Sequence, residues 1–479
     1  MLPRVHEPRA WGVSVHSSKT FVSILLLTIP VLLVAQDGPG TIAYDLKATI
    51  EPGSGTLAVQ GQVDMPPSAA SASMLKFNLH ETMEITKLLI DGKPATFAYA
   101  PMEGSLPLPA TRGVVVSLPA TSSQRNIHME IAYQGRLEVL SEFGASPDMR
   151  HSMDDQINSR MVELAFYSSW FPQFAFGQPV KSELTLSLPQ NWISICSGKR
   201  TAETIAAGRV VTHWSSAKDV DIVILASPDY KLTRLQVSGV PVEIYGTQLS
   251  ETFIRQDGEQ IAGVLKLYSA KLGETNVPNG VVRHVYSPKR KGQGRAGFAR
   301  PGLIVTSEGR TIEGLTNDPN FSLFQGVAHE IAHYWWNFGA GQGDWINEAF
   351  AEYFSAIAVE DLNSEAAFNA LMEDDRKQVS ELPANSPSLS SVEMTDQASF
   401  VIRYYKGSLM LNAFRRSMGD KKFFQACHEF FEEYRDKPTG TGEFRSFWKS
   451  KLDQKGLIDS WLDSRGGLPP AAEERAVQR

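Results

Sequence analysis

The sequence predicts an α+β multidomain chain: a β-sandwich or saddle-shaped N-terminal domain, then a second domain that turns mostly helical towards its C-terminus. Three observations predict it. At 479 residues the chain suits two or three domains better than one. Between about 40 and 230, apolar residues alternate with polar ones in short runs. Beyond about 245 they recur at helical spacing instead. The composition is ordinary for a globular protein, 42% hydrophobic and 21% charged. A net charge of −7 and a pI near 5.9 leave no basic surface for nucleic acid.

The elements follow in order. Residues 1–35 read as an export signal or N-terminal anchor. Arg4, Arg9 and Lys19 precede an uncharged apolar run, 21–35, of 15 residues. That length fits a signal better than a bilayer span, which needs roughly 20. The expected location is therefore periplasmic or extracellular, with membrane attachment only if the segment stays uncleaved. Residues 36–240 read as the β domain. Runs 41–50, 56–63 and 182–188 alternate, and Pro52-Gly53, Asp91-Gly92 and Ser197-Gly198 mark turns. Residues 241–467 read as the second domain. Helices are expected over 250–272, 321–336, 345–358, 400–418, 421–434 and 442–454, with strands at 280–286 and 302–306. Residues 380–397, rich in Ser and Pro, read as a loop, and 468–479 as a flexible tail. Cys196 and Cys427 form no metal-binding spacing and read as buried small hydrophobes, with a bridge between them as the alternative.

The chemistry concentrates at His329-Glu330-Ile331-Ala332-His333. On a helix, residues four apart lie within about 40° of each other. Both imidazoles can therefore reach one cation. Glu330 sits beside them, placed to take a proton from a metal-bound water. With no Cys motif, any metal is held by His and carboxylate. A catalytic zinc usually has three protein ligands and one open position. Downstream, Asp344, Glu348 and Glu352 are candidates for the third. Glu348 is chosen, within the helical run Trp345-Ile346-Asn347-Glu348-Ala349-Phe350-Ala351-Glu352-Tyr353. Glu352, one turn further on, is better placed to accept the other N–H of a ligating histidine. Asp344 precedes the run as an expected N-cap.

This pattern resembles the aminopeptidase N and leukotriene hydrolase family of gluzincin zinc metallopeptidases. The matching residues are His329 to His333 and the Asn347-Glu348 pair with its flanking Trp345. The resemblance implies a thermolysin-like catalytic domain holding one Zn2+ per chain. It also implies that Glu348 is the third ligand, with Asn347 and Glu352 as supporting residues. The family usually has eighteen residues between the second His and this Glu; here there are fourteen, whereas Glu352 has eighteen. The Trp-x-Asn-Glu context decides for Glu348. Phe166-Tyr167-Ser168-Ser169-Trp170-Phe171-Pro172 is similar to the family's β-saddle domain, and Trp461 with Gly467 and Pro469 to its closing pattern. The resemblance implies a compact version, without the long helical C-terminal domain of large members. Arg403-Tyr404-Tyr405-Lys406-Gly407 resembles the segment whose tyrosine, here Tyr404, stabilises the oxyanion.

One departure concerns specificity. The family's G-x-M-E-N segment carries a Glu that binds the substrate's free amine. Here Gly297-Phe298-Ala299-Arg300-Pro301 stands in its place, so Ala299 or Arg300 occupies the Glu position. Arg300 reads either as a carboxylate-binding group or as a solvated surface residue. The strand at Leu303 is expected to be an edge that holds peptide substrate by main-chain hydrogen bonds. The expected activity is that of an exported zinc peptidase acting on peptides or proteins. The alternatives are a non-catalytic zinc-containing binding protein of the same fold and a zinc hydrolase of a non-peptide bond. Oligomeric state is not legible.

Overall fold

The computed structural model describes residues 40–71, 73–102, 108, 110–118, 126–137, 156–174, 178–274, 280–288, 297–308, 322–336, 343–435, 437 and 439–469. The expected export segment, the basic stretch 289–295 and residues 470–479 lie outside the described residues.

Alternation becomes a sandwich in the N-terminal part. Strand Ile42–Glu51 turns Ile42, Tyr44, Leu46, Ala48 and Ile50 inward, as a two-residue period requires. It pairs antiparallel with Thr56–Met65 and parallel with Val180–Pro189, at the centre of an eight-stranded sheet. A four-stranded sheet built on Met74–His80 and Thr111–Ser117 faces it. Leu46, Val59 and Ile131 from the large sheet share one core with Leu75, Phe77 and Val114 from the small one. Each such side chain stabilises by about 1.5–3 kcal/mol when fully buried. The β-rich half is thus as the alternation predicts.

A mixed five-stranded sheet carries the site. Its order is Lys231–Val237, Val240–Gly246, Val282–Ser287, Leu303–Ser307, Gly297–Arg300. The three central strands are parallel, and the outer two are antiparallel to their neighbours. This sheet begins at Lys231, upstream of the expected change at 240. One face, with Tyr245, Val285, Phe298, Leu303 and Val305, packs on Ile195, Val223 and Leu225 of the β half. The other face, with Val242, Ile244, Val282, Tyr286 and Ile304, packs on helices α1 (Glu251–Leu272) and α2 (Ser322–Ala332). Leu303–Ser307 is therefore an interior strand, contrary to the expected edge. Among the described residues the edge is Gly297–Arg300, because that short strand folds back antiparallel beyond it.

The remainder is helical: α3 (Asp344–Leu362), α4 (Glu365–Ser380), a π-helical turn Val401–Lys406 running into α5 (Gly407–Met418), then α6 (Asp420–Tyr434), α7 (Thr441–Lys451) and α8 (Lys455–Asp463). Helix α3 buries Trp345, Ile346, Phe350, Tyr353, Phe354 and Ile357, so it is apolar around most of its circumference and sits at the centre. Helix α4 was not expected. Its signals are local: Ser364 Oγ caps the Ala367 N–H at 3.2 Å, and Phe368, Met372 and Val379 lie on one buried stripe. Among the described residues no helix is long and apolar enough to cross a membrane. Cys196 and Cys427 are buried and free.

Candidate metal centre and active site

The two histidines come from the end of α2. His329 is in its last turn, and His333 lies just beyond the last α-helical residue, in a turn closed by the Trp336 N–H on the Ala332 carbonyl. Helix α3 packs against α2 and brings Glu348 to them. His329, His333 and Glu348 each offer a ligand atom, all within 4.8 Å of one another. Glu348 Oε2 lies 3.3 Å from His329 Nε2 and 3.7 Å from His333 Nε2. Tetrahedral donors about 2.0–2.2 Å from one ion stand roughly 3.3–3.6 Å apart. The observed spacing therefore matches a small divalent cation.

The outer contacts fit the same purpose. His329 Nδ1 lies 3.0 Å from Glu352 Oε2, and the other Glu352 oxygen accepts from Gln325 Nε2 at 2.9 Å. His333 Nδ1 lies 3.0 Å from the Trp336 carbonyl. Both acceptors fix the proton on Nδ1 and leave each Nε2 lone pair facing the centre. Glu348 Oε2 is buried without a hydrogen-bond partner. That atom and the two Nε2 atoms form a donor set of two imidazoles and one carboxylate, which suits zinc with one position open. Without metal the cluster holds a proton instead. Burial opposes charge on His329, but the neighbouring Glu348 and Glu352 carboxylates outweigh it and raise its pKa well above the usual value. Burial likewise acts to raise the Glu348 carboxyl, yet His329, His333 and Arg403 hold it down to about 2.

Arg403 and Asp344 complete this wall, and the sequence did not reveal their pairing. The buried Arg403 guanidinium binds Asp344 and lies 3.6 Å from Glu348 Oε1. Asp344 is therefore no N-cap; it is the first residue of α3, and the preceding Gly343 makes no side-chain cap. The π-helical turn is what aims both Arg403 and Tyr404 inward. It widens the helix by one residue at this point, a distortion often found at functional sites. The Tyr404 ring stacks on His329, 5.5 Å between centroids and 5° from parallel, and on Phe400 at 4.4 Å. Tyr405 points elsewhere, towards the partly buried rim of the helical core. Lys406 is buried and ties down the segment just after α8 through the Ser464 and Gly466 carbonyls, each at 2.8 Å. Asn347 is buried in the first turn of α3.

The edge strand Gly297–Arg300 runs beside Glu330. A Cβ built on Gly297 would come 2.7 Å from the Val305 carbonyl and 3.3 Å from Glu330 Oε1. Glycine is thus needed here because the Val305 carbonyl leaves no room for a Cβ, and the Glu330 carboxylate also lies close. Burial pushes the Glu330 carboxyl up, against the pull of His329 and His333. Strand alternation decides the ambiguity at 299 and 300. Ala299 pairs with Ile304, whose side chain is on the helix face, and so shares the site's side with Gly297. Arg300 pairs with Leu303 on the opposite face, next to Phe298. Its guanidinium binds the buried Asp221 carboxylate at 2.8 and 2.9 Å and the Ala299 carbonyl at 2.7 Å. Arg300 is therefore neither a solvated surface residue nor a free carboxylate binder.

Comparisons with known proteins agree with this geometry. A sequence profile for the Peptidase family M1 domain matches residues 311–461. Glutamyl aminopeptidase of Homo sapiens is 26% identical over 153 residues, 29% of this chain and 16% of the relative. Aminopeptidase N of Lactococcus lactis subsp. lactis is 30% identical over 171 residues, 31% of this chain and 19% of the relative. The match thus spans under a fifth of the length of these relatives. Whole-chain likeness is found among solved structures. An M1 zinc metallopeptidase from Deinococcus radiodurans superposes with a TM-score of 0.68 at 19% identity, covering 91% of this chain and 95% of that one. Yeast LTA4 hydrolase in complex with Bestatin gives 0.67 at 16% identity, covering 92% and 73%. Residues 311–461 thus match the Peptidase family M1 domain, and the chain shares its fold with M1 zinc metallopeptidases among solved structures.

Proposed function

We propose that the protein is a zinc-dependent peptidase of the aminopeptidase type. The observation that carries this is the convergence of His329 Nε2, His333 Nε2 and the unpartnered Glu348 Oε2, with Glu330 alongside. His329, His333 and Glu348 would hold one zinc ion, with Glu352 and the Trp336 carbonyl orienting the imidazoles. A zinc ion bound there supplies Lewis acidity toward a substrate carbonyl and a neighbouring water.

The protein's own groups do the rest. Glu330 takes a proton from the attacking water and delivers it to the leaving amine nitrogen as the C–N bond breaks. Tyr404, its ring fixed between His329 and Phe400, donates its hydroxyl hydrogen bond where negative charge develops on the carbonyl oxygen. Gly297–Arg300, the last strand of its sheet among the described residues, would pair with an extended peptide. The uncharged, signal-like run 21–35 supports export, to be tested by N-terminal sequencing of protein recovered from the culture medium or periplasm. Retention of all protein in the cytoplasm would rule export out.

The test is a peptide-library digestion followed by mass spectrometry, with Glu330→Gln in parallel. The expected result is cleavage by the wild type at the first peptide bond of free-amine peptides and none by the variant. A wild type that binds zinc and cleaves no peptide contradicts the reading and favours a binding protein of the same fold.

A further inference from the structure

On the helix face of the five-stranded sheet lies a chain of three polar side chains that the metal centre does not use. Asp257 comes from α1, His284 from the central strand Val282–Ser287, and Thr306 from Leu303–Ser307. Asp257 Oδ2 lies 2.8 Å from His284 Nδ1, and His284 Nε2 lies 2.9 Å from Thr306 Oγ1. Asp257 and His284 are fully buried, and the Tyr286 ring lies against His284 at 4.2 Å. A buried carboxylate at Nδ1 places the imidazole proton there, so Nε2 is the acceptor. The Thr306 hydroxyl proton therefore points inward, and its oxygen lone pairs are left for whatever lies outside.

Outside is the side of the sheet that carries Glu330. Thr306 is the one residue of its strand that is not buried. It pairs directly with Gly297, and their side-chain directions share one face. Because Gly297 has no side chain, a single point at its Cβ position lies 3.8 Å from Thr306 Oγ1 and 3.3 Å from Glu330 Oε1. The general base and the hydroxyl thus lie close to the same glycine, on one side of the sheet. Ala299, two residues along the same edge, brings no polar group to that face.

We infer that Thr306, oriented by the Asp257–His284 pair, is the specificity-determining acceptor for the amino end of the substrate. The inference rests on the peptidase reading above. A hydroxyl that donates into a buried imidazole–carboxylate chain is polarised into a stronger acceptor. It would take an N–H from the substrate's terminal ammonium group, beside Glu330.

Thr306→Val keeps the shape and strand preference of the residue while removing the oxygen. The expected result is a rise in KM of roughly ten- to hundredfold for free-amine peptides, as for loss of a hydrogen bond to a charged donor, with kcat within about threefold. N-acetylated peptides, which lack the ammonium group, should show no such rise. Thr306→Ser restores the wild-type KM, which a packing role for the methyl group would not allow. Asp257→Asn, which weakens the inward pull, should shift KM in the same direction as Thr306→Val. A Thr306→Val enzyme with unchanged KM, or one impaired equally on free and acetylated peptides, overturns the inference while leaving the peptidase reading intact. A wild-type enzyme that cleaves neither substrate overturns the peptidase reading itself.

Discussion

Glu348 and Glu352 lie one helical turn apart, and both touch His329, so exchanging their roles is the sharpest way to be wrong about the metal centre. Glu348 presents an unpartnered oxygen between two Nε2 atoms, whereas both Glu352 oxygens are already engaged by His329 Nδ1 and Gln325. The two deletions should therefore differ in magnitude. Dividing a zinc-binding free energy of about 10–16 kcal/mol over four ligands gives ~3 kcal/mol per ligand. Glu348→Ala should then weaken zinc binding by more than about a hundredfold. Glu352→Ala removes only the partner that orients His329. Losses of that kind are about 10–100-fold, or ~1.4–2.7 kcal/mol. Competition against a chromophoric chelator at one fixed pH measures both. If Glu352→Ala loses more affinity than Glu348→Ala, Glu352 is the third ligand, and the role assigned to each residue is reversed.

Three other outcomes are expected. Tyr404→Phe should lower kcat by about 10²–10³ with little change in KM, because the hydroxyl is needed only as charge develops; an unchanged kcat would make Tyr404 a packing residue. Gly297→Ala forces a Cβ to 2.7 Å from the Val305 carbonyl and 3.3 Å from Glu330. It should reduce both activity and thermal stability, the latter by about 1–3 kcal/mol, and a variant as stable and active as wild type would refute the close approach. Zinc binding should release a proton at neutral pH. His329 in the metal-free protein has its pKa raised well above the ordinary value, with Glu348 and Glu352 outweighing the opposing effect of burial. It is therefore charged near pH 7 and must give up its proton to bind metal. Affinity then rises with pH up to the His329 pKa, by about tenfold per unit. Calorimetry in buffers of different ionisation enthalpy reads that proton, and a buffer-independent enthalpy would contradict it.

What could be read from the sequence was what local periodicity encodes. The inward set Ile42, Tyr44, Leu46, Ala48 and Ile50 is visible as alternation, and the sandwich follows from it. His329 and His333 are neighbours because a helix repeats every 3.6 residues. Pairings between distant segments were not visible. Asp344 looked like a cap from its place before a helical run. Its partner Arg403 lies 59 residues away, brought in by a π-helical turn that has no periodic signature. Strand order also depends on tertiary folding. Nothing local says that Gly297–Arg300 turns back outside Leu303–Ser307, and that single choice made Leu303 interior. It also sent Arg300 to Asp221 and turned Ala299 to the site's face. Asp257, His284 and Thr306 escaped notice for the same reason, since each comes from a different element.

The central claim is that this site holds zinc and uses Glu330 to activate water for peptide hydrolysis. The most direct test is zinc content and turnover of one free-amine peptide, measured together for wild type and Glu330→Gln. Equal zinc content, near one ion per chain, with turnover lower in the variant by about 10²–10⁴ is the predicted result. Equal turnover in the two proteins, or wild-type activity that survives complete removal of the metal, would contradict it.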